Sequence, residues 1–320
     1  MKVLRLHQIG DLRLHDVPVP IPEEGYTLVR VTAVGICGSD LHYFSHGSIG
    51  SVDMVDPLVL GHEFAGVTPD GQHVAVDPAI PCLKCEYCLT GNPNLCPSVR
   101  FAGSFGVDGA LQEFVSWPNR CLVPLPPGMS DNDGAMLESL GIGIHAVDLG
   151  KIRTGMTVGI FGCGPIGIMT LMVARAAGAT EVLVTEPLSH RMEFALKLGA
   201  KEWKRGQHVH VAFECAGEND AVEDAIEAVK IGGRVVLVGI PAEERTSFSA
   251  ATARRKGLTI KMTRRMKHTY ERAIRLVESG AVDVRSLVTH CYPLSQFQEA
   301  FAVAERRDGL KVIINPSQER

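Results

Sequence analysis

Three glycines, Gly162, Gly164 and Gly167, stand between an apolar strand predicted at 157–161 and a helix predicted at 165–177. This order of strand, glycine turn and helix is typical of folds built on a parallel sheet. The first glycine permits a tight turn, the second lets the backbone approach a pyrophosphate, and the third lets the helix pack on the strand. The helix N-terminus offers free N–H groups and a positive dipole end to phosphate oxygens. A glycine-rich packing turn without a ligand is the alternative. The segment predicts a dinucleotide site in a parallel sheet.

Strands and helices alternate after residue 150. Strands are predicted at 182–185, 209–214, 234–238 and 258–262, and helices at 188–198, 219–230 and 269–279. Such alternation is typical of a doubly wound α/β fold with a parallel sheet.

Residues 1–140 are β-rich instead, with alternating apolar residues at 28–34 and a Pro-Asp-Gly turn at 69–71. The tail at 281–320 has a predicted strand at 311–314 but does not continue the alternation of strands and helices, so we expect it to return to the first domain. The predicted domains are therefore 1–145 and 146–280, followed by a returning segment at 281–320.

Composition excludes several classes of protein. The chain has 320 residues and a net charge of −4 with both signs interspersed, which argues against nucleic-acid binding and against a basic membrane surface. Residues 156–174 are nearly all apolar, but three glycines and Pro165 favour a buried strand, turn and helix over a membrane span. Nine cysteines without a signal-peptide pattern indicate a reducing compartment, and we expect a cytoplasmic protein.

Four cysteines, Cys82, Cys85, Cys88 and Cys96, form a compact polar segment at 82–96. A closed structural zinc site needs four such thiolates in tetrahedral order, and a short lobe can supply them. Iron–sulfur binding is the main alternative, but the spacing fits the common cluster patterns poorly. The segment predicts a structural zinc ion.

A second metal set is dispersed along the chain. Cys37 lies between two glycines, and His62 and Glu63 follow a third. A catalytic zinc needs three protein ligands and one open position, which Cys, His and a carboxylate provide. Glu138 is a further candidate that either binds the metal directly or holds its water. Together with the cysteine segment, this set predicts two zinc ions per chain.

Glu186 follows the strand predicted at 182–185 and bears on the choice of dinucleotide. A carboxylate there accepts both ribose hydroxyls and repels a 2′-phosphate, so NAD is favoured over NADP. Arg191 is the counter-argument, because a guanidinium could reach such a phosphate. Its other interpretations are an exposed helix residue or an adenine-stacking partner.

At these residues the chain resembles the zinc-dependent medium-chain dehydrogenases, especially the sorbitol (polyol) dehydrogenase branch. The matching segments run through nearly the whole chain: Gly-Ile-Cys-Gly-Ser-Asp-Leu-His-Tyr at 35–43, Gly-His-Glu at 61–63, the four-cysteine segment, Gly-Ile-His-Ala at 143–146, the glycine turn, Glu-Cys-Ala-Gly at 214–217 and Leu-Val-Thr-His at 287–290. The resemblance implies a GroES-like catalytic domain split by a Rossmann dinucleotide-binding domain.

The resemblance also implies residue roles. Cys37, His62 and Glu63 would bind the catalytic zinc, and Glu138 would lie beside its water. Ser39 and His42 would form the proton path to solvent, although Ser39 could merely cap a helix. Tyr43 and Arg265 would contact the substrate, although Arg265 could belong to a solvated basic face. The expected cofactor-binding residues are Gly162, Gly164, Pro165, Ile166, Gly167, Glu186, Arg191, Cys215 and Val238.

Three departures from the family pattern carry expectations. The segment at 66–73 is shorter than the usual β-extension. Residues 201–208 are too few for a crossover helix, so the sheet is expected to be trimmed by one unit. Ser139 replaces the proline that usually follows the family's glutamate.

The expected reaction is the NAD-dependent oxidation of a secondary alcohol in a polyol or sugar-like substrate to a ketone. The alternatives are an enzyme resembling threonine 3-dehydrogenase, a simple secondary-alcohol dehydrogenase, and a non-catalytic nucleotide-binding protein. Ser39 favours polyols, because threonine is usual at that position in the threonine branch. The strand at 258–262 would form an unpaired sheet edge, so a homodimer or homotetramer is expected.

Overall fold

The computed structural model describes residues 1–50, 52–54, 57–104, 106–241 and 245–317. The chain divides into two compact units. Unit 1 comprises Met1–Glu138 and Val284–Arg320, and unit 2 comprises Ser139–Asp283. The first division falls inside a continuous helix, Asp131–Gly150, whereas the boundary expected from the sequence was at 145/146.

Within the described residues the chain forms nineteen strands and nine α-helices. The first part of unit 1 contains β1 (Lys2–Gln8), β2 (Asp11–Asp16), β3 (Tyr26–Gly35), α1 (Gly38–His46), β4 (Ser48–Ile49), β5 (Val52–Asp53), β6 (Glu63–Val67), β7 (His73–Val76), β8 (Ala79–Ile80), α2 (Glu86–Leu89), β9 (Arg100–Phe101), β10 (Phe114–Pro118), β11 (Leu122–Pro124) and α3 (Asp131–Gly150), which continues into unit 2. Unit 2 contains β12 (Thr157–Phe161), α4 (Pro165–Ala176), β13 (Glu181–Thr185), α5 (Ser189–Lys197), β14 (Lys201–Glu202), β15 (Val209–Glu214), α6 (Asn219–Ala228), β16 (Val229–Leu237), α7 (Ala250–Lys256), β17 (Thr259–Met262) and α8 (Tyr270–Glu278). The returning segment contains β18 (Val288–Pro293), α9 (Phe297–Arg306) and β19 (Lys311–Asn315).

The main sheet of unit 1 has the strand order β11-β7-β6-β3-β19-β18, and β10 also pairs with β3. Strand β3 is antiparallel to β6, with Gly35 opposite Glu63, and antiparallel to β19, with Gly35 opposite Ile313. These strands carry apolar residues such as Val31 and Phe64 into a fully buried core. The sheet therefore brings the last strand of the chain next to residues that lie far away in sequence.

Unit 2 is built on a six-stranded parallel sheet with the order β14-β13-β12-β15-β16-β17. This confirms the predicted doubly wound sheet. The apolar stretch at 156–174 forms β12, the glycine turn and most of α4. Among the residues that the structure describes, no helix combines the length and apolarity needed to cross a membrane.

The connection from β14 to β15 contains no helix, in agreement with the short segment at 201–208. The strand itself is kept as β14, so the expectation that the sheet loses a unit is wrong: only the crossover helix is missing. Trp203 compensates for that loss. Its ring packs edge-on against Phe161 with 5.4 Å between centroids, and its Nε1–H donates to the carbonyl of Gln207 at 3.1 Å. One large buried side chain thus covers part of the sheet where a helix would pack.

Helix α3 carries Glu138 and begins at a reciprocal cap. The N–H of Ser130 donates to Asp133 Oδ2 at 2.8 Å, and the N–H of Asp133 donates to Ser130 Oγ at 3.2 Å. Such reciprocal bonds satisfy N–H groups that have no partner within the helix. Arg285 pairs with the buried Asp133 carboxylate at 2.9 Å and links the helix start to the returning segment. The sequence reading did not include this helix.

Candidate functional site

Cys37, His62 and Glu63 come together in unit 1. One possible ligand atom of each residue lies within 4.8 Å of those of the other two. Cys37 directly precedes α1, and Glu63 begins β6 opposite Gly35 of β3. The pairing of β3 with β6 therefore assembles a set that sequence spacing alone could not establish.

Asp40 fixes the orientation of this set. Its Oδ2 accepts the N–H of Cys37 at 2.9 Å, its Oδ1 accepts the N–H of Gly61 at 3.0 Å, and Oδ1 lies 3.5 Å from His62 Nδ1. Burial alone would raise the pKa of Asp40, but His62 and the two N–H groups lower it overall. A carboxylate on Nδ1 leaves the other imidazole nitrogen, Nε2, to bind a metal. The sequence analysis assigned Asp40 no role at the site. The only feature of the sequence that points to it is its position three residues after Cys37.

Ser39 and His42 both lie on α1. Ser39 Oγ is 3.4 Å from His62 Nε2, so the hydroxyl stands beside the nitrogen that is left for the metal. His42 is half-buried, with its ring centroid 5.7 Å from that of His46. Burial, together with the charges of His46 and Arg307, lowers the pKa of His42. The neutral ring is therefore favoured near neutral pH, and the relay role of both residues stays a prediction.

Glu63 is held by a residue that sequence reasoning missed. Lys311 Nζ donates to Glu63 Oε1 at 2.8 Å and to Glu63 Oε2 at 2.6 Å. A side chain at Gly35 would collide with Glu63 Oε2, so glycine at this position makes room for the carboxylate. Lys311 is one of 32 Lys and Arg residues in the sequence, and nothing local distinguishes it.

Glu138 in α3 supplies a second carboxylate to this region. It is 2 % exposed, and its Oε2 has no hydrogen-bond partner among the described residues. Burial raises the pKa of Glu138 to about 7, and Glu63 adds to the rise, while His62 and Lys311 oppose it. Buried carboxylate oxygens normally have a donor or a metal as partner. With the thiol and imidazole nearby, this donor set fits a zinc ion.

The cysteines Cys82, Cys85, Cys88 and Cys96 also converge, with all four Sγ atoms within 4.8 Å of one another. Cys85 directly precedes α2 and Cys88 lies within it, and all four are free thiols. The N–H groups of Lys84 and Cys85 point to Cys82 and lower its pKa to about 6. Four converging thiols with no open position fit a closed structural zinc site.

Tyr43, expected at the substrate, is only 1 % exposed, and its hydroxyl lies 2.9 Å from Ser104 Oγ. Burial raises its pKa. Its contact with substrate stays a prediction. Sequence reasoning missed Phe101, whose ring lies 5.4 Å from that of His62 and shields it on one side.

The glycine turn of unit 2 has the geometry that a dinucleotide requires. Gly162 has φ +99°, and a Cβ on Gly167 would collide with the carbonyl of Gly162. Pro165 and Ile166 then open α4. A Cβ at Gly162 or Gly167 would meet protein atoms of the turn itself or of Ala216, whereas no protein atom lies closer than 3.4 Å to a Cβ at Gly164, the residue before α4. The N-terminus of α4 is therefore accessible at Gly164 and fits a bound pyrophosphate.

Glu186 lies beside this turn. Its Oε2 accepts the N–H of Cys163 at 2.7 Å, and its Oε1 accepts the N–H of Leu188 at 3.0 Å. The carboxylate is therefore fixed in orientation. A guanidinium nitrogen of Arg191 lies 3.4 Å from the position that a Cβ on Gly164 would occupy.

The remaining predicted residues of unit 2 lie after its strands. Cys215 and Val238 directly follow β15 and β16, and both are partly buried. Burial raises the pKa of Cys215 well above its usual range. Arg265 lies in the loop after β17, with φ +54°. A non-glycine residue rarely adopts such a backbone, and this strain is found more often at functional sites than elsewhere.

Comparisons with known proteins agree with this arrangement. Residues 23–127 match the family described as "Alcohol dehydrogenase GroES-like domain", and residues 165–279 match "Zinc-binding dehydrogenase". The sorbitol dehydrogenase of Bacillus subtilis is 33 % identical, with 99 % of this chain and 98 % of the relative covered. The human sorbitol dehydrogenase is 35 % identical, with 97 % of this chain and 94 % of the relative covered.

Solved structures agree as well. An Escherichia coli oxidoreductase/dehydrogenase of unknown specificity superposes with a TM-score of 0.92 at 31 % identity, covering 98 % of both chains. A zinc-binding dehydrogenase from Sinorhizobium meliloti bound to NADP has a TM-score of 0.90 at 29 % identity, covering 98 % and 99 %. The L-idonate 5-dehydrogenase of E. coli superposes with a TM-score of 0.89 at 26 % sequence identity, covering 98 % of this chain and 97 % of the other.

The chain belongs to the zinc-binding alcohol dehydrogenases with a GroES-like domain, and it is an oxidoreductase. Within that class, the relatives confirm the resemblance to the sorbitol dehydrogenase branch of the medium-chain dehydrogenases.

Proposed function

We propose that this protein oxidises a secondary alcohol of a polyol or sugar-like substrate to a ketone with NAD, and catalyses the reverse reaction. The observation that carries the proposal is the convergence of Cys37, His62 and Glu63, together with a buried Glu138 that interacts electrostatically with His62 and Glu63 and whose Oε2 has no hydrogen-bond partner among the described residues. The names of the relatives support the substrate class, since sorbitol and L-idonate are both polyhydroxy compounds.

When bound, zinc supplies Lewis acidity toward the substrate oxygen and the nicotinamide accepts a hydride. Asp40 keeps His62 oriented with Nε2 free, through its contact with Nδ1. The hydroxyl of Ser39 accepts the proton of the alcohol and passes its own proton on toward His42. Because the pKa of His42 is lowered, its ring is neutral near pH 7 and can accept that proton.

Glu138 completes the metal region from the side of α3. Its buried Oε2 would accept a hydrogen bond from water beside the ion, because Glu138 is not among the residues whose ligand atoms converge with those of Cys37, His62 and Glu63. With its pKa raised to about 7, the carboxyl group changes charge near neutral pH more readily than an exposed glutamate. The second zinc, at the four cysteines, contributes folding free energy and takes no part in the chemistry.

The choice of NAD rests on Glu186. Two backbone N–H groups fix its carboxylate, which can accept the ribose hydroxyls and would repel a 2′-phosphate. Two observations favour NADP instead: Arg191 lies near the glycine turn, and the Sinorhizobium relative is bound to NADP. We weigh the fixed carboxylate more heavily, because its negative charge has no freedom to turn away from a phosphate.

The protein should also form a homodimer or homotetramer. Strand β17 is the last strand of the unit 2 sheet, and Met262 at its end is 69 % exposed. An unpaired edge of this kind can pair with the same edge of a second copy. Because all nine cysteines are free thiols, we place the protein in the reducing cytoplasm.

A substrate panel tests the proposed function. Polyols, sugars, threonine and simple secondary alcohols are each offered with NAD or NADP, and nicotinamide reduction is followed by absorbance. We expect polyols with NAD to give the highest kcat/KM. A clear preference for threonine, or no turnover with any alcohol by protein that contains both zinc ions, would overturn the proposal.

A further inference from the structure

The contact between Lys311 and Glu63 is the most completely buried ion pair of the described residues. The two side chains are 3 % and 1 % exposed. Besides its two bonds to the Glu63 carboxylate, Lys311 Nζ donates to the carbonyl of Ile36 at 3.3 Å. Strand β19 delivers the lysine, because it pairs with β3, which in turn pairs with β6 at Glu63. The lysine is therefore fixed by the sheet.

The two distances from Lys311 define which side of the carboxylate it occupies. A single nitrogen at 2.8 Å from Oε1 and 2.6 Å from Oε2 lies between the two oxygens. The lone pairs of a carboxylate lie in its plane, and one on each oxygen faces that intervening position. A metal ion chelated by both oxygens would have to occupy the same position. Lys311 therefore leaves only the outer lone pairs of Glu63 for a metal.

This restriction matters because a catalytic zinc must keep one coordination position for substrate. Cys37, His62 and one oxygen of Glu63 fill three positions of a tetrahedral ion. If the second oxygen also bound, it would fill the fourth position. Both Glu63 oxygens lie in a region from which water is excluded, so no solvent competes with the metal for the second oxygen.

We propose that Lys311 is a positioning residue that limits Glu63 to one-oxygen metal binding and thereby keeps the fourth coordination position open. The inference rests on the proposed metal centre at Cys37, His62 and Glu63. It makes a prediction opposite to that for an ordinary supporting residue, whose loss weakens metal binding by about 10- to 100-fold. If Lys311 instead competes with the metal for Glu63, its loss should strengthen metal binding.

The test replaces Lys311 in the full-length protein, with cobalt exchanged into the catalytic site and zinc retained at the four cysteines. Four-coordinate cobalt absorbs visible light several-fold more strongly than five-coordinate cobalt. We expect strong absorption for the wild type and for Lys311→Arg, which keeps the charge between the oxygens. Lys311→Met should lose most of this absorption. It should also release the metal to a chelator more slowly than the wild type does.

A matched control is Lys256→Met. Lys256 Nζ also donates to backbone carbonyls, those of Ile226 and Val229 among them, but it lies in α7 of unit 2. Its loss should leave the cobalt spectrum and the release rate unchanged. Faster metal release from Lys311→Met, or an unchanged spectrum, would overturn the proposal.

Lys311→Met leaves Glu63 buried without its partner and could fail to fold. Two measurements keep the proposal testable in that case. Lys311→Gln keeps a neutral NH2 group, which can donate to the carboxylate without the charge of lysine, and should show an intermediate spectrum. The second measurement is the spectrum of the cobalt-substituted wild type by itself, which must be that of four-coordinate cobalt. A spectrum of five-coordinate cobalt in the wild type would also overturn the role of Lys311. If the wild type binds no metal at Cys37, the proposed function itself fails, which is a separate outcome.

Discussion

The four cysteines of the structural site lie within one short segment between Cys82 and Cys96, whereas the residues around Cys37 come from distant parts of the chain. The two sites also differ in their surroundings. Helix α2 of the cysteine segment has no buried residue, while Glu63 and Glu138 are almost completely inaccessible. The cysteine segment therefore has little core of its own, and we expect its fold to depend on a bound metal. The dispersed set is assembled by the main sheet of unit 1, which we expect to remain folded without a metal.

This contrast indicates that the two proposed zinc ions would contribute differently. At the cysteine segment, we expect the free energy of metal binding to contribute largely to folding, because α2 buries no side chain that would hold the thiols together. At Cys37, the strands β3, β6 and β19 already place the ligands, and Asp40 and Lys311 orient them. Metal binding there would provide chemistry, and we expect the fold around the ligands to form without it.

The largest expected effect is that of Cys37→Ser. It removes the thiolate ligand of the dispersed set, so turnover should fall to the background level. The Tm should stay within about 3 °C of the wild type, because the sheet that carries the set is intact. Alcohol oxidation, metal content and thermal unfolding are the three measurements. A large fall in Tm would contradict the idea that this frame is stable without its metal.

Cys85→Ser should lower the thermal stability strongly and the turnover much less, which is the opposite of the effect of Cys37→Ser. One thiolate is lost from a closed site, so that zinc ion should be lost and the Tm should fall by about 10 °C. Protein that remains folded should retain measurable turnover, since the catalytic set is separate. The control is Cys291→Ser, an exposed thiol outside both sets, which should change neither quantity. If Cys85→Ser were as stable as the wild type, the comparison between the two sites would be wrong.

Ser39→Ala probes the proton path of the dispersed set. Loss of a general acid–base group typically slows a reaction by about a hundred- to ten-thousand-fold, and we expect a loss in that range at neutral pH. At high pH the loss should be smaller, because hydroxide can take the proton directly. The rate of alcohol oxidation and its isotope effect are measured across the pH range.

Ser45→Ala is the matched control on the same helix, since its hydroxyl donates to Glu305 at the surface. It should behave like the wild type at every pH. Equal rates for Ser39→Ala and the wild type, with hydride transfer shown to be rate-limiting, would remove Ser39 from the path.

The smallest effect concerns a third, local site, the glycine turn. Glu186→Ala should raise the use of NADP relative to NAD by about ten-fold, which corresponds to about 1.4 kcal/mol of relieved charge repulsion. The ratio of kcat/KM values for the two cofactors measures this change. Glu193→Ala, an exposed acidic residue on α5, serves as the control and should leave the ratio unchanged. An unchanged ratio for Glu186→Ala would move the discrimination to another residue.

The sequence by itself determined the features whose information is local. The glycine turn needs three glycines within six positions, and the zinc lobe needs four cysteines within one segment, so both are visible without any knowledge of the fold. The alternation of strands and helices after residue 150 likewise predicted the parallel sheet. Even the missing crossover helix followed from length alone, because too few residues separate β14 from β15.

The tertiary structure decided what depends on contacts between distant segments. Strand β14 pairs with β13, and Trp203 directly after it packs on Phe161, neither of which a chain-length argument anticipates. Lys311 becomes part of the metal region only because β19 pairs with β3, next to the strand that carries Glu63. A buried lysine and an exposed one are the same letter in a sequence. What separates them is the set of strands packed around the amine, and that set is fixed only when the sheet forms.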